Sequence, residues 1–144
     1  MKILCENEKE TKKIAKSVAK FLEAGSILCL DGDLGAGKTT FTQYLCQALG
    51  YEGYVNSPSY SIVNEYTNEI KINHFDVYRI YSVEELYEIG YEEYFFGDAI
   101  TIVEWASKIK ELIPEESIWI TIELGKKENE RVFHIKGLPE NIKF

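Results

Sequence analysis

Between Cys29 and Thr39 the chain reads CLDGDLGAGKT, an apolar run that passes through three glycines into a lysine and a threonine. Gly32, Gly37, Lys38 and Thr39 satisfy GxxxxGK[ST], the pattern of a phosphate-binding loop. A loop that wraps a phosphate must turn its backbone N–H groups inward and bring the main chain within hydrogen-bonding distance, and side chains would obstruct both. The lysine can place its ammonium between terminal phosphates, and the threonine can offer a hydroxyl to Mg²⁺. A helix starting at about Lys38 would add unsatisfied N–H groups and the positive end of its dipole.

Phosphoryl chemistry on a bound nucleotide also needs carboxylates at the ends of neighbouring strands, one for the Mg²⁺ shell and one to orient the attacking water. Asp76 closes INHFD and Glu104 closes ITIVE, where ligands gather at strand C-termini. Taken alone, Asp76 could equally be a strand-end cap and Glu104 a solvated turn residue; the phosphate loop makes both site candidates. His74 is read as an orienting or core residue rather than a general base, because phosphoryl transfer depends on positioning and charge. His134 is read as structural. Trp105, next to Glu104, either covers part of a nucleotide or packs in the core. SPSY (Ser57 to Tyr60) is either a nucleotide-sensing switch or an ordinary turn.

These residues need strands and helices to hold them. Asn7 followed by Glu10 marks a helix start, and Ile14, Val18, Phe21 and Leu22 keep an apolar stripe until Gly25. Ser26 to Leu30 is short, apolar on both phases and followed by glycine, as in a buried parallel strand. Phe41, Tyr44, Leu45, Ala48 and Leu49 return to helical spacing, with Gly50 as the C-cap. SIVNEY and IKINHFDVY alternate about the turn TNE, a hairpin. Val83 to Phe96 is read as one or two short, acidic, tyrosine-rich surface helices, and AITIVEW as a buried strand. ESIWITIEL and RVFHIKG flank the charged turn GKKENE as an antiparallel edge. The expectation is one α/β domain over residues 1–144: a P-loop NTPase-like, three-layer arrangement whose mixed, mainly parallel sheet has antiparallel edge hairpins.

Composition narrows the function further. The 144 residues carry a formal net charge of −8, without the basic footprint of a protein that grips nucleic acid directly; any RNA role would be indirect. Arg79 and Arg131 are the only arginines, which leaves little of the forked chemistry that clamps phosphates. Cys5, Cys29 and Cys46 are widely spaced and form no CxxC, which predicts buried, reduced thiols. No stretch approaches the roughly 18 uninterrupted apolar residues of a membrane span, and the first residues show no long apolar h-region. The expected location is cytoplasmic.

The chain resembles the bacterial TsaE (YjeE) family of small P-loop ATPases required for threonylcarbamoyl adenosine modification of tRNA. The resemblance covers nearly the whole sequence and is carried by GDLGAGKTTF (Gly32 to Phe41), SPSYSIVNEY (Ser57 to Tyr66), HFDVYR (His74 to Arg79) and IVEWASKI (Ile102 to Ile109), in that order. It implies ATP bound by Leu34, Gly35, Ala36, Gly37, Lys38, Thr39 and Thr40, with Trp105 beside the nucleotide. It also implies Mg²⁺ held by Thr39 and Glu104, and Asp76 in a switch segment needed for hydrolysis. Thr11 matches a threonine in the first helix that contacts the nucleotide. Ser59 stands where many members have threonine. The family's partners are TsaD and TsaB, and TsaD performs the transfer onto tRNA.

Two rivals share the phosphate loop. A small-molecule kinase would need a lid with arginines to neutralise the transferring phosphoryl group, and two arginines are too few. A nucleotide-gated interaction module with negligible turnover would present Tyr87, Tyr91, Tyr94 and nearby acids to a partner. The absence of an NKxD motif disfavours guanine; the preference for adenine otherwise follows from the resemblance.

Overall fold

The structure is a computed structural model that describes residues 1–58 and 60–144, so Ser59 lies outside the described residues. Its centre is a seven-stranded sheet in the order β1-β7-β6-β2-β5-β4-β3. The strands are β1 (Lys2–Cys5), β2 (Ile27–Asp31), β3 (Val63–Tyr66), β4 (Ile72–Asp76), β5 (Ile100–Glu104), β6 (Ile118–Leu124) and β7 (Arg131–Lys136). β6, β2, β5 and β4 run parallel through the middle. β3 pairs antiparallel with β4 on one side, and β7 and β1 continue antiparallel from β6 on the other.

Apolar residues on both phases of the central strands demand cover on both faces. Leu28 and Leu30 of β2 join Ile100 and Ile102 of β5 in a core beneath α1 (Glu8–Ala19) and α2 (Lys38–Ala48). Ile27, Cys29, Phe75 and Val103 face the other way. They pack against α3 (Glu84–Glu88), α4 (Tyr91–Phe95) and a 3₁₀ helix, Ala106–Leu112. The result is three layers. Phe41, fully buried, meets Phe133 of β7 with ring centroids 5.4 Å apart; truncating it to alanine would cost about 3–5 kcal/mol.

The helix signals act locally as expected. The Asn7 side chain accepts the Glu10 N–H at 3.0 Å, and the Glu10 carboxylate accepts the Glu6 N–H at 2.9 Å, a relative of the capping box. α1 stops at Ala19 rather than at Gly25, because tight turns take over: the N–H groups of Phe21 and Leu22 bond to Val18 and Ala19. Those turns keep Leu22 buried although it lies beyond the helix. After α2, Gly50 adopts φ 96°, while its N–H and that of Tyr51 return to Gln47 and Cys46, a Schellman ending.

The structure adds one strand and corrects two expectations. The opening residues form β1, whose KILC is too short to announce a strand; it covers β7, so the terminal hairpin is not itself the edge. The segment from Val83 to Phe96 makes two helices that are more than surface decoration, since Leu86, Tyr91 and Phe95 are buried. Tyr91 is therefore core, whereas Tyr87 stays exposed. All three cysteines are buried and free, as the sequence predicts. Among the described residues, no helix is long and apolar enough to cross a membrane.

Candidate functional site

The C-terminal ends of β2, β4 and β5 lie side by side, and the glycine-rich loop leaves β2 to enter α2 at Lys38. Glycine is required at position 32, because a Cβ there would sit 2.4 Å from the Ile122 carbonyl oxygen. Gly37 caps α2 with φ 109°, a conformation closed to ordinary side chains. The loop is fastened from the far side of the sheet: Arg131 of β7 donates its Nε–H to the Ala36 carbonyl at 2.9 Å.

Lys38 is folded back onto this loop. Its ammonium donates to the carbonyls of Gly32 at 2.5 Å and Asp33 at 2.9 Å, and lies 4.1 Å from the centre of the Trp105 ring. Burial lowers its pKa below the ordinary lysine value, against the pull of Glu104, Asp76, Asp31 and Asp33. The charge is thus partly desolvated while surrounded by carboxylates.

Asp76 and Glu104 are register partners at the ends of β4 and β5, and both are buried. Thr39 Oγ1 donates to Glu104 Oε1 at 3.0 Å, and His74 Nε2 lies 2.5 Å from Glu104 Oε2. Asp76 accepts the Tyr78 N–H on Oδ1 at 2.9 Å and the Ser57 hydroxyl on Oδ2. Each acid therefore has its orientation set by hydrogen-bond donors on neighbouring residues. Trp105 takes φ 64°, rare for a bulky residue and costing on the order of 1–3 kcal/mol. Its backbone N–H donates to the Leu30 carbonyl at 2.8 Å, and its ring lies tilted against Tyr78 with centroids 4.6 Å apart. The two readings of Trp105 merge: it packs partly against the core and also rims the site.

One cavity of about 380 Å³ gathers Leu34, Gly35, Gly37, Lys38, Thr39 and Thr40 with Asp76, Glu104 and Trp105; Ser57 and Tyr78 complete its wall. Thr11 and Ala36 line an adjoining cavity of about 150 Å³, which shares Gly37 and Thr40 with the first. There Thr11 Oγ1 contacts Cys5 Sγ at 3.0 Å. His74, read as orienting or core, is buried against Glu104, and His134 pairs at the surface with Glu123 at 3.2 Å. Tyr78, the Ser57–Asp76 pairing and the role of Arg131 were not foreseen. Ser57 lay in a quoted motif, but nothing in local spacing links Arg131 to Ala36, which is 95 residues away.

The oxygens facing this cavity suit Mg²⁺, a hard cation that keeps several waters and accepts few protein ligands. Among the described residues, no group of three or more His, Cys, Asp or Glu is gathered to hold a metal unaided.

A sequence profile described as "Threonylcarbamoyl adenosine biosynthesis protein TsaE" matches residues 5–133. The chain belongs to the TsaE family. A TsaE relative from Bacillus subtilis is 44% identical over 133 residues, covering 91% of this chain and 83% of the relative. The TsaE of Haemophilus influenzae is 42% identical over 114 residues, 78% of this chain and 72% of its own. A crystal structure of Bacillus subtilis YdiB superposes with a TM-score of 0.76 at 38% identity, covering 92% of this chain and 82% of that one. The matched TsaE span runs from the last residue of β1 into β7 and so includes every side chain of both cavities.

Proposed function

We propose that this TsaE-family chain is a Mg²⁺-dependent ATP-binding and ATP-hydrolysing accessory protein for threonylcarbamoyl adenosine modification of tRNA, acting through a complex with TsaD and TsaB. The observation that carries the reading is the convergence of Lys38, Thr39, Asp76 and Glu104 in one cavity beneath the N-terminus of α2. A polyphosphate there meets the free N–H groups of the loop and of the first helical turn. Lys38 exchanges the Gly32 and Asp33 carbonyls for phosphate oxygens, a charge pair worth roughly 4 kcal/mol at 4 Å and an effective dielectric near 20.

A Mg²⁺ ion held by Thr39 and Glu104 supplies neutralisation of the phosphate charge. Asp76, kept in place by Ser57 and the Tyr78 N–H, is suited to orient the attacking water, and the nearby Trp105 and Tyr78 rings limit access of bulk solvent. Adenine as the base and TsaD and TsaB as partners rest on the family. The net charge of −8 suits contact with tRNA through the complex rather than directly, and a cytoplasmic location goes with this role.

The arginines disfavour the kinase reading. Arg131 is occupied by the Ala36, Glu128 and Glu130 carbonyls, and Arg79 lies over Tyr60, 4.6 Å from its ring centre. Lys38 is the one cationic side chain lining the cavity among the described residues, so turnover without a partner is slow. Phosphate release measured with and without a reconstituted TsaD–TsaB complex tests this: stimulation is expected. Nucleotide binding with neither turnover nor stimulation would replace hydrolysis by gating.

A further inference from the structure

Tyr66, His74 and Glu104 come from three adjacent strands, β3, β4 and β5, and form a continuous hydrogen-bonded chain behind the site. We propose that His74, steadied by Tyr66, is a positioning residue that fixes the Glu104 carboxylate so that one oxygen is presented to Thr39 and the metal–phosphate cluster. The inference rests on the nucleotide reading above and adds to it a residue that touches neither nucleotide nor metal.

The geometry leaves little freedom. The His74 ring has no exposed surface and Glu104 is 1% exposed, so water cannot substitute for either partner. A carboxylate only accepts, so the hydrogen shared by Nε2 and Oε2 over 2.5 Å belongs to the ring. Nδ1 faces the Tyr66 hydroxyl 2.9 Å away, and that hydroxyl also donates to the Asn56 carbonyl at 3.4 Å, so both ring nitrogens are held. One ring orientation results. Glu104 Oε1 is left to Thr39 at 3.0 Å. Without the imidazole, Oε2 would be a buried acceptor with no donor, and the carboxylate would rotate to find one.

Outer partners of this kind tune a metal site because they fix the ligand that touches it; losing one weakens metal affinity by about 10- to 100-fold. A histidine that merely filled the core would alter stability and leave metal affinity unchanged.

The test uses the full chain, its ADP complex and Mn²⁺ as a spectroscopic probe, with His74→Leu, His74→Gln and Tyr66→Phe. His74→Leu should keep metal-free ADP affinity near that of the parent while weakening Mn²⁺ binding to the ADP complex by about 10- to 100-fold. His74→Gln, whose amide can donate to Glu104, should recover most of the loss, and Tyr66→Phe should fall between. In the free protein, long-range ¹H–¹⁵N spectra should show a hydrogen on His74 Nε2. Parent-like Mn²⁺ affinity in His74→Leu, or a bare Nε2, overturns the proposal. Should His74→Leu fail to fold, Tyr66→Phe decides, because it keeps the ring and removes only its outer partner: unchanged Mn²⁺ affinity there also overturns it. A parent that binds no ADP would instead sink the nucleotide reading, while the ring spectrum would still report on the His74–Glu104 bond.

Discussion

The Lys38 ammonium rests 4.1 Å from the centre of the Trp105 ring, so the charge that is to meet phosphate is stored against an aromatic face and two loop carbonyls. A polyphosphate bound as proposed would compete for the same ammonium and win, because a charged acceptor is stronger than a carbonyl or a ring quadrupole. Withdrawing a cation from the indole changes its emission. ADP should therefore alter the fluorescence of the parent and of Trp119→Phe, but not of Trp105→Phe. A signal that survives in Trp105→Phe would detach the ring from the nucleotide site.

Lys38→Ala removes the ammonium and leaves the loop to its N–H groups. Triphosphate affinity should drop about a thousandfold, matching the roughly 4 kcal/mol of one charge pair. Titration calorimetry of a variant with a parent-like circular dichroism spectrum measures it; a loss of less than tenfold would place the phosphates elsewhere.

The lowered pKa of Lys38 gives nucleotide binding a defined pH dependence. Phosphate favours the charged amine, so the complex holds more protons than the free protein between the lowered value and the restored one. Binding should take up protons in the alkaline range and weaken as pH rises through that window. In the free chain the sign for folding is opposite: the folded pKa lies below the unfolded value of 10.5, so this group's burial cost is relieved as pH rises between them. Calorimetry at alkaline pH below 10.5, in two buffers of different ionisation enthalpy, reads the uptake, and net proton release would refute it.

Asp76→Ala should leave ADP affinity within a few fold and cut single-turnover phosphate release by about a hundredfold, the usual scale for a lost acid–base or water-orienting group. Ser57→Ala should show a smaller loss, since Asp76 keeps the Tyr78 N–H. Equal turnover in Asp76→Ala and the parent would take Asp76 out of the mechanism.

The thiols should be silent. Burial pushes Cys46 up to about 12 and raises Cys29 further, with help from Asp31; both lack thiolate until strongly alkaline pH. A disulfide-forming reagent at pH 8 should label neither in the native protein and both in guanidinium chloride. Rapid native labelling would show that the core opens.

Much of this molecule was legible along the chain because the relevant signals are local. The glycine spacing around Lys38, the Asn7–Glu10 cap and the apolar strands ending in Asp76 and Glu104 each depend on residues a few positions apart, where backbone conformation and side-chain pattern constrain one another. β1 escaped because four residues carry too little periodicity. The buried side of α3 and α4 escaped because two five-residue helices are too short to show a stripe.

By itself, the sequence determined that a phosphate-type loop would stand between a buried strand and a helix, that two acids would end neighbouring strands, and that the chain is kin to TsaE proteins. Tertiary structure alone decided which groups meet. Parallel register set Asp76 beside Glu104, the sheet order brought Thr39 to a carboxylate 65 residues on, and strand pairing carried Arg131 back to Ala36. Such contacts form when distant segments bury their apolar faces on one another, a three-dimensional fit that no local spacing encodes.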